Sequence, residues 1–126
     1  MTIETIESDF KQKVCDEVAL YPEGLERYRV LTPFQFDDGD HLDIVLKREA
    51  DRFILSDEGQ TYMHLTYDLD EKDLYKGTRA KIISNSLSAY SVTDRDGELL
   101  LPIENGGYGN ALFSFIQALL KISDVS

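Results

Sequence analysis

Six carboxylates crowd two short stretches of this chain. Asp37, Asp38, Asp40 and Asp43 surround Gly39, and Asp57 and Glu58 precede Gly59. His41 lies within the first group and His64 follows the second, so the side-chain types suited to three kinds of chemistry lie close in sequence. Carboxylates with a histidine can hold magnesium or manganese, because hard cations prefer oxygen ligands. Histidine can also move protons near neutral pH. A dense run of carboxylates can instead present a negative surface to a positively charged partner. A structural account competes with all three: Asp and Gly build turns through local backbone hydrogen bonds, and Ser56 or Asp57 can cap a following helix.

Other chemistries find less support. Ser56 lies outside any GxSxG nucleophile elbow. Cys15 is flanked directly by Val14 and Asp16, with no basic cluster around it to lower its thiol pKa, and its spacing places it among buried positions of an amphipathic segment. Gly106-Gly107-Tyr108-Gly109 is too short and wrongly spaced for a dinucleotide fingerprint. No residue is assigned as catalytic, no metal ligand is assigned, and no cofactor is expected. Tyr62, Tyr67, Tyr75, Tyr90 and Tyr108 offer interface anchors with apolar bodies and polar tips. Lys72, Lys76, Arg79 and Lys81 read as a solvated helix face.

Charge narrows the partners further. The 126 residues carry 24 acidic and 13 basic side chains, a formal net charge of -11. Such a field repels phosphate backbones and attracts cations, so direct nucleic-acid binding is not expected and a basic protein surface is the natural complement. The length fits a single domain spanning 1–126. The single cysteine and the acidic start MTIETIESDF point to a reducing cytoplasm without export, and no apolar run approaches the roughly 20 residues of a membrane span.

The elements that must position these residues follow from periodicity. Ile3, Ile6, Phe10, Val14 and Val18 recur at helical steps, predicting a helix over about 3–20 that ends before Pro22 and Gly24. Alternation from Tyr28 to Phe36 predicts a strand that Pro33 confines to an edge or breaks. The turn 37–40 leads to a second strand over 41–47, with Leu42, Ile44 and Leu46 on one face, and 53–55 supplies a third. A short helix over 61–65 follows. The acidic segment 68–73 then leads into a helix reaching about residue 90, which Gly77 can divide. Asp94-Arg95-Asp96-Gly97 marks a hairpin with Leu99, Leu100 and Leu101 on its second arm. A last helix spans about 110–122, burying Leu112, Phe115, Ile116, Leu119, Leu120 and Ile122. The expected class is α+β: an antiparallel meander of three or more strands with a hairpin, packed against amino- and carboxyl-terminal helices.

This order of elements resembles the family catalogued as domain of unknown function 1828, found in bacteria, phages and other mobile elements. The likeness rests on the leading helix, Thr32-Pro33-Phe34, Asp38-Gly39-Asp40, the strand pair, Leu55-Ser56-Asp57-Glu58-Gly59 with Thr61, and the closing apolar helix. It implies a compact α+β fold and a mobile-element setting, and assigns no catalytic residue. The leading expectation is a noncatalytic acidic protein-binding module using Asp37, Asp38, Asp40, Asp43, Asp57 and Glu58. In the mobile-element setting this becomes a DNA-mimic inhibitor of a host nucleic-acid-handling defence complex. A small metal-dependent nuclease or phosphoesterase is the alternative, and a regulatory homodimer joined through the last helix is a third.

Overall fold

A computed structural model describes residues 1–67 and 69–125. Asp68, where the expected acidic segment begins, lies outside the described residues. The chain opens with helix α1 (Ile3–Glu17) and continues into strands β1 (Ala19–Pro22), β2 (Arg27–Leu31), β3 (Ile44–Glu49) and β4 (Arg52–Ser56). A helical excursion follows, made of α2 (Gln60–Leu65), a 3-10 turn (Glu71–Tyr75) and α3 (Gly77–Ala89). Strands β5 (Thr93–Arg95) and β6 (Glu98–Pro102) return the chain to the sheet, and α4 (Tyr108–Ser123) closes it. The sheet has six strands in the order β1-β2-β3-β4-β6-β5, and every neighbouring pair is antiparallel. The α+β class and its meander are therefore as the sequence predicts.

Register decides which residues face the core. Val30 pairs with Ile44, Leu46 with Leu55, and Leu55 with Leu101, so these five share one face. Against that face α4 seats Phe115, Ile116, Leu119 and Ile122, its 3.6-residue stripe matched to the pleat. Leu74 of the 3-10 turn, Ile83 of α3, and Tyr62 and Leu65 of α2 complete the core. The Asp96-Gly97 turn joins β5 to β6 with φ of 54° and 92°, the doubly left-handed conformation that suits a right-twisted two-residue hairpin. Gly77, with φ of 60°, separates the 3-10 turn from α3.

The opposite face of the sheet has its own economy. Val45, Ser56 and Leu100 stand in register across it, next to Ile54 opposite Lys47, and all of these except Lys47 are buried. Around them runs a chain of ion pairs. Asp43 meets Arg29 at 3.8 Å, Arg29 meets Glu23 at 3.0 Å, and Glu23 meets Arg27 at 3.8 Å. Arg27 pairs with Glu58, which meets Lys47 at 3.4 Å. Lys47 reaches Glu98 at 2.8 Å, and Arg95 bridges Glu98 and Glu49. Long charged side chains bury their aliphatic stems while keeping their ends wet, which lets this layer roof an apolar stripe.

Several features differ from the sequence reading. α1 stops at Glu17, and Ala19–Pro22 forms an edge strand instead of continuing the helix. None of α1 is buried, and Cys15 is exposed rather than packed. β2 ends at Leu31 because Pro33 cannot donate to a ladder, leaving 32–43 as a loop with a small bridge between Gln35 and His41. The turn at 37–40 thus closes a miniature hairpin within this loop, where Phe36 N–H donates to the Asp40 carbonyl at 2.7 Å, and does not join two long strands.

Candidate functional site

Where β4 ends, Ser56-Asp57-Glu58-Gly59 turns the chain into α2. Glu58 and Gly59 both take left-handed φ values, 54° and 81°, which point the following amides back toward Asp57. One carboxylate oxygen of Asp57 accepts from Gly59 N–H at 2.9 Å and Leu99 N–H at 2.8 Å, and the other accepts from Thr61 N–H at 3.1 Å. Its own N–H donates to the Leu99 carbonyl at 3.1 Å. Asp57 therefore caps α2 and clasps the start of the excursion to β6, where the excursion returns. Burial pushes its carboxyl upward, opposed by the hydrogen bonds from Leu99, Gly59 and Thr61.

Between this clasp and the β5–β6 hairpin opens a cleft of about 910 Å³. α2 and its C-cap give it Tyr62, Met63 and Thr66, the 3-10 turn gives Glu71, Leu74 and Tyr75, and the hairpin gives Asp94, Asp96 and Glu98. Glu58 and Lys47 complete the lining, so five carboxylates face one cation. Tyr62 and Tyr75 meet edge to face, with ring centroids 6.4 Å apart. The Tyr62 hydroxyl donates to Asp94 at 3.1 Å, and burial followed by the Asp94 charge pushes this phenol well above its ordinary value, keeping it a proton donor. Burial works against the charge of Glu98, yet hydrogen bonds from Lys47, Ser56 and Arg95 hold its carboxyl down at about 2. Glu58 is lowered chiefly by the hydrogen bond from Arg27. The floor is thus apolar and aromatic, while the walls stay negative at neutral pH.

The six carboxylates singled out in the sequence do not form one face. Asp37, Asp38 and Asp40 are exposed on the loop between β2 and β3. Asp43 is half-buried and paired with Arg29. Asp57 has no exposed surface, so it is corrected from a partner-binding residue to a structural one: its oxygens are already occupied by backbone amides. Only Glu58 reaches the cleft, and there it shares itself between Arg27 and Lys47.

A second constellation forms where the loop meets α2. Nδ1 of His64 lies 3.2 Å from Asp38, and its Nε2 lies 4.0 Å from Asp40. The imidazole stacks on Phe36 with centroids 4.1 Å apart and takes the edge of Tyr67 at 5.3 Å, which fixes its plane. One ligand atom from each of Asp38, Asp40 and His64 falls within 4.8 Å of the others. His41 is exposed and lies outside this group. Two carboxylates and an imidazole suit manganese or zinc better than calcium, which takes more oxygen ligands.

Most of the cleft escapes sequence reasoning. Glu71, Asp94, Asp96 and Glu98 lie in segments legible as a helix approach and a hairpin turn, and only the pairing of β4 with β6 brings them beside Glu58 and Lys47. The available signal was the density of acids from Asp94 to Glu98 on either side of a turn that needs only Asp96 and Gly97.

Fold and site together define a small α+β protein whose antiparallel sheet is interrupted by a helical excursion, with an acidic cleft at the junction. The chain belongs to the family described as Domain of unknown function DUF1828, whose model matches residues 32–122. That range holds the cleft and the His64 constellation and begins after β2. No curated protein and no solved structure matches the chain. Among the described residues no helix is long and apolar enough to cross a membrane.

Proposed function

We propose that this protein is a noncatalytic acidic binding module that receives a basic segment of a partner protein in the cleft between α2 and the β5–β6 hairpin. The observation that carries this reading is the excess of carboxylates over cations, five to one, around an aromatic floor. Lysine or arginine side chains would place their charge against Glu71, Asp94 and Asp96 and their stems on Tyr62 and Tyr75. Arginine over tyrosine adds a cation–π contribution. Long-range attraction from a net charge of -11 would speed the encounter.

The finer version makes the partner a nucleic-acid-handling defence complex of a host cell and this chain its DNA-mimic inhibitor. Exposed Asp37, Asp38 and Asp40 would extend the negative surface that fills the partner's basic groove. Competition decides that version: duplex DNA should displace the module from such a partner, and simultaneous binding of both would sink it.

Binding of an arginine- and lysine-rich peptide, followed by fluorescence anisotropy, tests the cleft itself. The paired substitution Glu71→Gln with Asp96→Asn is expected to weaken it about thirtyfold at low salt, since each near-surface charge contributes on the order of 1 kcal/mol. Both positions are exposed, so the fold should survive. Unchanged affinity in that variant would remove the cleft from the reading.

The geometry of Asp38, Asp40 and His64 favours a second reading, a small metal-dependent phosphoesterase in which a cation on these three groups polarises a phosphate. Calorimetry with magnesium, manganese and calcium is the check. Manganese uptake that Asp38→Asn abolishes would favour it, and absence of heat at millimolar ion would retire it.

A further inference from the structure

α1 is an amphipathic helix whose apolar side is not covered by any of the described residues. Ile3 is 70% exposed, Phe10 67% and Val14 53%, and together with half-buried Ile6 they form one stripe at three- and four-residue steps. Local forces keep the helix wound. Thr2 caps it by accepting from Thr5 N–H at 3.2 Å, Lys11 pairs with Glu7, and Lys13 pairs with Glu17. Such forces are small, and fifteen residues held only by them are marginal in water. The chain leaving α1 then forms one wall of an apolar trough of about 470 Å³ between the outer strands and the first turns of α4. Val18 and Leu20 line it on one side and Leu46, Tyr108 and Leu112 on the other. Leu20 and Tyr108 are each about half exposed. One continuous stretch therefore presents two unpartnered apolar surfaces, a stripe and a trough.

Area supports a partner of definite size. The chain exposes 7922 Å², whereas a compact monomer of its 14.4 kDa mass exposes about 6,800 Å². The surplus of about 1,100 Å² exceeds the roughly 800 Å² that each partner contributes to a standard interface. A two-fold dimer can cover both surfaces at once, because an isologous interface sets the same patch of each copy against the other.

We propose that the protein forms a two-fold homodimer in which the α1 stripe and the adjoining trough are buried against a second copy of the chain. The cleft between α2 and the β5–β6 hairpin takes no part, so this interface is independent of the basic partner proposed above. The two associations respond oppositely to salt. Screening weakens attraction of a basic peptide to the cleft, while it relieves repulsion between two copies that each carry -11 and so tightens the dimer.

Light scattering coupled to gel filtration, on the full chain from about 1 to about 300 µM, reads the outcome. The expected mass is that of two chains, with the dimer favoured as salt rises. Phe10→Glu in the stripe and Leu20→Glu in the trough should each raise the dimer Kd by about a hundredfold, as loss of an interface anchor does. Ile82→Glu, on the exposed side of α3, should leave it unchanged. Both interface positions are more than half exposed in the single chain, so circular dichroism of the variants should report an intact fold. A mass of one chain at every concentration, or a dimer that survives both Phe10→Glu and Leu20→Glu, would overturn the proposal.

Discussion

Asp57→Ala is expected to lower stability by about 3–5 kcal/mol and the melting temperature by roughly 10–20 °C, because it leaves three amides, two of them buried, without their acceptor. The amides of Gly59, Thr61 and Leu99 all point at the carboxylate; those of Thr61 and Leu99 are buried, while that of Gly59 lies at the edge of the cleft. Two of these bonds start α2 and the third ties the strand end to β6. Asp57→Asn should cost less than alanine but still destabilise, because one acceptor oxygen becomes a donor facing other donors. Thermal melts followed by circular dichroism check both variants. An alanine variant within about 1 kcal/mol of the parent would mean that the clasp is ornamental.

The second large effect is a loss of stability in acid that centres on Glu98. Its carboxyl is held at about 2 against an ordinary value of 4.5, so the folded chain binds that proton more weakly than the unfolded chain. Stabilisation from this group is therefore complete above about pH 4.5 and disappears as pH falls toward 2, a change of about 3 kcal/mol over the window. Glu58 is lowered in the same sense and adds to the slope, whereas Asp57, whose carboxyl is raised by burial, acts in the opposite sense. Urea midpoints at pH 7, 5 and 3 measure the total. Subtracting the same series for Glu98→Gln isolates the one group, and identical pH dependence in the two proteins would refute its role.

How much of this was legible in the sequence depended on the range of the interaction. The stripe from Leu112 to Ile122 runs along a sixteen-residue helix with its own period, and Asp96-Gly97 is a turn its two residues nearly determine, so both were readable. β1 was not, since Ala19–Pro22 is four residues long and runs on from a helix without a break in hydropathy. Periodicity showed that α1 has an apolar face and placed Cys15 among its buried positions, whereas packing, which no local pattern encodes, leaves that residue exposed. Asp57 resembles its exposed neighbours in type and spacing, and only the approach of Leu99, 42 positions away, makes it a buried cap. The cleft fails to announce itself for the same reason: Glu58 and Glu98 become neighbours through strand pairing, which leaves no local pattern.

The layer of paired charges over Val45, Ile54 and Leu100 also bears on how the protein behaves in a tube. A bare sheet face with that stripe would be free to stack on another sheet, a common first step toward aggregates. Arg27, Arg29, Lys47 and Arg95, with their acidic partners, prevent stacking by making every approach a desolvation of ions. That protection is conditional. Protonating the carboxylates leaves the arginines without partners and loosens the roof, so acid would expose a sticky surface at the same time as it weakens the fold. Precipitation on acidification would then begin on this sheet face, and storage well above the ordinary carboxylate range follows as a practical rule from the architecture.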